Sequence, residues 1–187
     1  IIQGYFFASS SCVYPSSPQP MIERDVRPEK LSGYGLEKYF SEQTCLAFHH
    51  EHCTPVRIAR LHTIYGPGDF RGKGRDHFPS AMAEAVADAK FSGDHSIKIW
   101  GDGTQTRSFT YVSDLVDGII RLMLSSVNDP VNIGNPREMT IEEIARTIIA
   151  MTGAGQYSIW RIRLRSGSSQ PRGSRRPSGN SLTSCPS

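Results

Sequence analysis

A tyrosine and a lysine in the stretch YGLEK have the types and spacing needed for proton transfer. Tyr34 and Lys38 are four residues apart, so in a helix they share one face and can reach each other. A cation beside a phenol favours the phenolate, and the N-terminal end of a helix adds to this effect. The phenolate can act as a base toward a hydroxyl group. For the pair alone, a packed tyrosine beside a solvated lysine is the alternative interpretation.

A second set of reactive groups follows the apolar run near the start of the chain. In FFASSSCVYP, Ser10, Ser11 and Cys12 come directly after residues typical of a strand that is covered on both faces. Ligands of open α/β sheets bind at the carboxyl ends of the strands. These hydroxyls and this thiol are therefore candidate substrate contacts, with a buried, unreactive thiol as the alternative for Cys12.

The remaining pattern alternates between strands and helices, which predicts an α/β domain with a parallel sheet. We expect helices over 34–53, 79–90, a segment ending at Leu124, and a segment after the Thr140 and Glu143 capping box. Ser113 or Asp114 is the expected N-cap of the third helix. The expected strands after the first are 56–61, 97–100, the extended piece FTYV and 131–134.

The composition changes abruptly near the end of the chain. Of the 187 residues, 154–187 contain six arginines and no Asp, Glu or Lys, and Ser, Gly and Pro dominate. Such a segment buries too little apolar surface to offset its chain entropy. We therefore predict a domain over 1–153 and a disordered basic tail over 154–187. The tail could bind nucleic acid or an acidic surface, or it could be a misread or frame-shifted end, and we favour the frame-shifted end.

Several classes of protein do not fit this sequence. No apolar run approaches the roughly 20 residues of a bilayer-spanning helix, and the first residues lack a basic leader pattern, so we expect a cytoplasmic protein. The four cysteines show no CxxC spacing, which argues against disulfides or a zinc site. The cluster HHEHC lies in the last turn of a predicted helix without a carboxylate set to complete it. We therefore predict no metal.

Five motifs occur along the chain in a definite order: ASSSCVYP, YGLEK, RLHTIYGPG, WGDGTQTRSFTYVSDLVDGI and VNIG. Together they resemble the extended short-chain dehydrogenase/reductases, the NAD-dependent epimerase/dehydratase family that acts on nucleotide sugars. The resemblance covers about residues 3–153. It implies a partial Rossmann-like domain with a doubly wound parallel sheet and part of a small substrate-binding region. It also implies a homodimer built on the helix that carries YGLEK.

The family resemblance implies catalytic roles for matching residues. Ser10 would hydrogen-bond the reacting sugar hydroxyl and Tyr34 would take its proton, while Lys38 would support Tyr34 and hold the nicotinamide ribose of NAD. Hydride would pass from sugar carbon 4 to NAD, and the resulting ketone would acidify the hydrogens on carbons 3 and 5. Cys12 resembles one member of the acid/base pair that acts there. His77 stands where plant-type epimerases usually have a lysine, with a loop histidine of no catalytic role as the alternative.

The same resemblance implies contacts to the nucleotide sugar. Arg107 suits a diphosphate because its planar fork can donate two parallel hydrogen bonds. Thr63 stands where the family commonly has an asparagine, and a hydroxyl replaces only one of its contacts. The expected substrate-binding residues are Ser10, Ser11, Cys12, Thr63, Asp76, His77, Gln105, Thr106 and Arg107.

Within the family, ASSSC and GKGRDHFP followed by GDGTQTRSF are most similar to the epimerases that invert carbons 3 and 5 of GDP-mannose. UDP-glucuronate decarboxylases and dTDP-glucose 4,6-dehydratases are alternatives, because they also begin with oxidation at carbon 4. The Gly-rich G-x-x-G-x-x-G turn, which receives the NAD pyrophosphate in this family, occurs nowhere in the sequence. The expectation is therefore the middle half of a family member, and a catalytically inactive remnant is a further alternative.

Overall fold

The computed structural model describes residues 4–15, 21–69, 77–153 and 157–162. The elements, in chain order, are β1 (Tyr5–Ser10), α1 (Gly33–His52), β2 (Val56–Leu61), β3 (Ile64–Tyr65), α2 (Phe78–Ser92), β4 (Ser96–Trp100), β5 (Thr106–Ser108), β6 (Thr110–Tyr111), α3 (Val112–Leu124), β7 (Val131–Ile133), β8 (Glu138–Thr140), α4 (Ile141–Met151) and β9 (Ser158–Ile162). The described residues form two compact units, one drawn from 1–69 with 106–140 and one drawn from 70–105 with 141–187.

The first unit is built on a parallel sheet in the order β1-β2-β7. Leu61 is the partner of both Ser10 and Ile133, the last residues of the two outer strands. The carboxyl ends of all three strands therefore lie at one edge of the sheet. Parallel pairing also joins β3 to β6, whereas β5 and β8 pair antiparallel. The predicted α/β class with parallel strands is confirmed.

The central strand β2 is the one covered on both faces. Its residues 56–60 are all buried, and its two arginines point in opposite directions. The Arg57 Nε donates to Ser125 O, directly after α3, at 3.0 Å, while Arg60 pairs with Glu42 on α1. The alternating direction of strand side chains thus sends one charge to each covering helix.

The prediction that β1 is covered on both faces is wrong. In the described residues it is an edge strand with β2 as its neighbour, and Tyr5 is 48% exposed. Of its six residues Ser9 is buried, while the others are half-buried or exposed. The apolar run correctly predicted a strand. The position of that strand in the sheet, however, depends on which other strands pair with it.

The N-terminal ends of helices α1 and α3 differ from the predicted ones. Helix α1 begins one residue earlier than predicted, because the Ser32 hydroxyl accepts from Gly35 N and caps it. The predicted cap of α3 by Ser113 or Asp114 is wrong, because the chain turns helical directly after strand β6, at Val112. Both residues therefore lie inside the first helical turn, where Ser113 donates to Asp114 at 3.3 Å.

The second unit packs α2 and α4 against the parallel pair β4 and β9. The prediction of disorder throughout 154–187 is wrong for Ser158–Ile162, which form β9. Ile159 packs against the core, and Arg161 forms an ion pair with Glu142 on α4 at 2.7 Å. The buried apolar side chains of this core are Met82, Val86, Ala89, Ile97, Ile99, Ile141, Ala145 and Ile149. Residues 154–156 and 163–187 lie outside the described residues.

Candidate active site

The carboxyl end of β1 carries the serines and the cysteine singled out in the sequence. Directly after Ser10 the chain forms a short 3-10 turn over Ser11–Val13, and the Ser10 hydroxyl accepts a hydrogen bond from Cys12 N at 3.1 Å. The hydroxyl keeps its own proton for donation to another oxygen. Cys12 is exposed, so its thiol can reach a ligand at this edge of the sheet.

Helix α1 begins directly against this turn because Gly35 has no side chain. A Cβ at Gly35 would lie 2.1 Å from the backbone oxygen of Cys12, far inside any normal contact. The glycine thus allows the first turn of the helix to touch the end of β1. Tyr34, its neighbour, remains 53% exposed, so its phenol is accessible to a ligand.

Lys38 joins the helix to the strand. Its Nζ donates to Ala8 O at 3.0 Å, two residues before Ser10. The same nitrogen lies 5.8 Å from the centroid of the Tyr34 ring and 5.1 Å from that of Phe7. Helical spacing places Lys38 beside Tyr34, and the hydrogen bond to Ala8 attaches this lysine to the strand that ends in Ser10.

A buried ion pair lies beneath these groups. The Arg60 Nη2 and Nε donate to the Glu42 carboxylate at 2.7 and 3.0 Å, and the Ser9 hydroxyl donates to the same carboxylate. The Glu42 side chain is 0% exposed and that of Arg60 is 4% exposed. Hydrogen bonding to Glu42 and Tyr14 raises the pKa of Arg60 despite its burial. This guanidinium is therefore a permanent buried cation.

Tyr14 extends the buried network toward β7. Its phenol accepts from Arg60 Nη1 at 2.9 Å and donates to Asn132 Oδ1 at 2.7 Å. Burial raises the pKa of Tyr14, so the hydroxyl keeps the proton that it donates. The Asn132 backbone N–H in turn donates to Glu23 Oε1 at 3.0 Å. The network thus joins strands β1, β2 and β7 to helix α1, just before the carboxyl ends of the strands.

Thr63 and His62 follow β2 at the same sheet edge. Thr63 O accepts from Thr110 N at 2.9 Å, which ties this loop to β6. His62 packs closely beside Gly134, where a Cβ would lie 2.7 Å from its ring. Burial lowers the pKa of His62, so the imidazole is held neutral.

The remaining predicted site residues are Thr106, Arg107, Gln105, His77 and Asp76. Thr106 and Arg107 are exposed on β5, and Arg107 Nη1 donates to Thr106 O at 2.7 Å. Gln105 and His77 belong to the second unit. The former donates from Nε2 to Trp100 O at 3.0 Å, and the latter is exposed just before α2. Asp76 lies outside the described residues. The roles of all these residues remain predictions.

Three residues of this region were not predicted from the sequence: Gly35, Glu42 and Arg60. A usable signal existed, since Glu42 follows Lys38 by four residues and so shares its helix face. Arg60 is one of two arginines inside the predicted strand VRIARL, where a charged side chain that becomes buried needs a partner. As for metals, the described residues bring no three His, Cys, Asp or Glu side chains together as ligands. Nor do they form a helix long and apolar enough to cross a bilayer.

The parallel sheet β1-β2-β7 with its covering helices is a Rossmann-like α/β fold. Residues 2–134 match the NAD dependent epimerase/dehydratase family. The chain belongs to that family, which confirms the resemblance drawn from its motifs.

Two plant enzymes are similar to this chain over part of their length. GDP-mannose 3,5-epimerase of Arabidopsis thaliana is 38% identical over 157 residues, which is 80% of this chain and 40% of the relative. UDP-glucuronic acid decarboxylase 3 of the same plant is 40% identical over 117 residues, which is 63% of this chain and 32% of that relative. The chain thus spans less than half the length of either relative.

A solved structure shows the same fold. The UDP-N-acetylglucosamine 4-epimerase of Methanobrevibacter ruminantium M1, in complex with UDP-N-acetylmuramic acid, superimposes with a TM-score of 0.75 at 23% identity. The match covers 89% of this chain and 52% of that one. At this identity the likeness establishes the fold.

The family implies a nicotinamide dinucleotide cofactor, and the residues present fit one end of it. The Lys38 ammonium and the Tyr34 phenol offer hydrogen bonds to ribose hydroxyls at the carboxyl end of β1, where open α/β sheets bind ligands. A Gly-rich turn for the pyrophosphate is absent from the sequence. The fit is therefore to the nicotinamide ribose.

Proposed function

We propose that the protein acts as a nucleotide-sugar epimerase of the GDP-mannose 3,5-epimerase type. The observation that carries this proposal is the Lys38 ammonium, which lies beside the Tyr34 ring and is hydrogen-bonded to the strand that ends in Ser10. The 38% identity to a GDP-mannose 3,5-epimerase over 80% of the chain supports the substrate class.

The first chemical step removes a hydride from carbon 4 of the sugar and a proton from the hydroxyl group on that carbon. The Ser10 hydroxyl hydrogen-bonds the reacting oxygen, and the Tyr34 phenolate takes its proton. The Lys38 ammonium would support the phenolate and would hold the nicotinamide ribose of a bound cofactor. Bound NAD supplies a reversible hydride acceptor, so carbon 4 is oxidised to a ketone and later reduced again.

The second step is inversion at carbons 3 and 5, whose hydrogens are acidified by the neighbouring ketone. The Cys12 thiol and the His77 imidazole serve as the acid/base pair, one removing a proton and the other returning a proton to the opposite ring face. Arg107 holds the diphosphate through its exposed guanidinium. The remaining substrate contacts in this proposal are Ser11, Thr63, Asp76, Gln105 and Thr106.

Deuterium exchange tests the proposal. The protein is incubated with NAD and GDP-mannose in deuterated water, and the sugar is analysed by NMR. We expect deuterium at carbons 3 and 5 with the wild type and none with Tyr34→Phe. An unlabelled sugar with the wild type would refute the epimerase assignment.

Decarboxylation of UDP-glucuronate is the second candidate. It is favoured by the 40% identity to a UDP-glucuronic acid decarboxylase over 63% of the chain. Both reactions begin with oxidation at carbon 4, so Ser10, Tyr34 and Lys38 keep their roles. Release of carbon dioxide from UDP-glucuronate, without exchange into GDP-mannose, would establish this alternative.

A catalytically inactive interaction module is the remaining alternative. Isothermal titration with NAD distinguishes it, because saturable binding that is lost in Lys38→Met contradicts such a role.

We further propose that the protein forms a homodimer through α1. Support comes from two aromatic side chains on this helix, Phe40 and Phe48, which are 59% and 48% exposed.

A further inference from the structure

Two buried charges next to the candidate site have no part in the chemistry proposed above. Glu42 and Arg60 face each other with two nitrogen-to-oxygen contacts of 2.7 and 3.0 Å and almost no exposure. Such a pair is weak evidence for stability, because desolvation of both ions offsets much of their attraction. Apolar residues of similar volume often stabilise a protein equally well. The pair therefore needs another explanation.

The carboxylate attaches helix α1 to the tip of strand β1. Tyr34, Lys38 and Glu42 follow one another at four-residue intervals and so lie along one helix face. Lys38 Nζ donates to Ala8 O, and the Ser9 hydroxyl donates to Glu42. These two attachments fall on consecutive strand residues, directly before Ser10.

The guanidinium attaches the segment that precedes the helix. Arg60 Nη1 donates to Glu23 O at 2.7 Å and to the Tyr14 phenol at 2.9 Å. The Asn132 amide Nδ2 donates to Met21 O at 3.2 Å, from strand β7. One buried cation therefore connects β2 to two points, Tyr14 and Glu23, of the segment between β1 and α1.

We propose that Glu42 and Arg60 are positioning residues that hold Tyr34 and Lys38 in register with Ser10. The inference rests on the proposed function, because the register matters only if these groups act together. Two parallel N–H···O bonds fix both the distance and the angle between α1 and β2. A displacement of about 1 Å between catalytic groups can lower turnover by about 100-fold.

An apolar replacement of the pair separates positioning from stability. In the double variant Glu42→Leu with Arg60→Met, we expect the urea midpoint to stay close to that of the wild type. Backbone amides of residues 33–38 should exchange at least about tenfold faster in the protein without cofactor, because the helix start loses its attachment. Turnover should fall by at least about tenfold, while KM stays near the wild-type value.

Two single variants complete the test. Ser9→Ala removes only the strand hydroxyl, so it decides the question if the double variant does not fold; we expect at least about threefold faster exchange over 33–38. Ser41→Ala is the matched control, since the Ser41 hydroxyl donates to Glu37 O within the same helix at 2.9 Å. Wild-type exchange over 33–38 in both Ser9→Ala and a folded double variant would overturn the inference, as would equally faster exchange in Ser41→Ala.

The variant Tyr34→Phe distinguishes the two proposals. Loss of turnover with wild-type exchange in Tyr34→Phe supports the proposed function, whatever the Glu42 and Arg60 variants do. Wild-type turnover in Tyr34→Phe refutes the proposed function, while the exchange data still show whether the buried pair orders the start of α1. Loss of turnover in Tyr34→Phe together with wild-type turnover in the double variant refutes the positioning role alone.

Discussion

The Lys38 Nζ donates a hydrogen bond to Ala8 O at 3.0 Å. This bond makes the lysine part of the junction between α1 and β1, in addition to its place beside the Tyr34 ring. In the proposed mechanism, the residue that supports the base is thus also held by the strand that ends in Ser10. The catalytic proposal depends on this double role.

Replacement of the lysine tests that role. Lys38→Met keeps most of the side-chain volume but removes the ammonium and its bond to Ala8. We expect turnover of GDP-mannose to fall by at least about 100-fold, because the phenolate loses its cationic neighbour. Lys30→Met, at an exposed position before α1, is the control and should retain wild-type turnover. A Lys38→Met protein within threefold of the wild type would contradict the proposal.

Gly35→Ala tests the close approach of the helix to the strand end. The new methyl group would meet the Cys12 carbonyl at 2.1 Å, and relief of such overpacking costs about 1–3 kcal/mol. We expect that loss in the free energy of unfolding, measured in urea, together with lower turnover. Gly33→Ala is the matched control, because nothing lies within 4 Å of its added Cβ. Equal stability of Gly35→Ala and the wild type would show that the contact is not as close as described.

The sequence predicted the parts of this site that depend on short spacing. The Tyr34 and Lys38 pair and the helix that carries it follow from helical spacing within a few residues, and the strand at 56–61 follows from local strand signals. The burial of this strand was not predicted. The buried partner of Arg60 could not be read from the strand itself, because Glu42 lies 18 residues away along the chain. Pairing of such distant charges is decided by how α1 packs on the sheet.

Acidification tests the burial of His62. Its pKa is lowered by burial, so below the ordinary imidazole value of about 6.5 the unfolded chain binds the proton more readily. The free energy of unfolding should therefore decrease as pH falls from about 7 to about 5, and the contribution is fully present above that window. His62→Phe should weaken this dependence in urea unfolding at several pH values. His52→Gln, at an exposed position, is the control, and an unchanged pH dependence in His62→Phe would contradict the explanation.

A charge on the exposed face of α1 tests the proposed homodimer. Phe40 is 59% exposed on α1, and burial against a second copy would make a glutamate there costly. We expect Phe40→Glu to sediment as a monomer under conditions where the wild type is a dimer. Phe91→Glu, at a 93% exposed position on α2, should leave the dimer intact. A wild-type monomer at all concentrations would refute the proposed homodimer.

Two wrong predictions have a common physical origin. The arginine-rich composition of 154–187 predicted disorder, but five of its residues form β9 because Ile159 reaches an apolar core and Arg161 reaches Glu142. In the same way, an apolar run predicted coverage of β1 on both faces, although β2 occupies the covered position. The average composition of a long segment hides a short strand within it. The apolar pattern of one strand does not show which other strands pair with it.

Formation of reduced nicotinamide on mixing with NAD and GDP-mannose tests the central claim most directly. The absorbance of the reduced cofactor reports oxidation at carbon 4 before any inversion. We expect a transient signal with the wild type, accumulation with Cys12→Ala because only inversion is blocked, and no signal with Tyr34→Phe. Reduction in Tyr34→Phe at the wild-type rate would contradict the claim that the phenol beside Lys38 is the base.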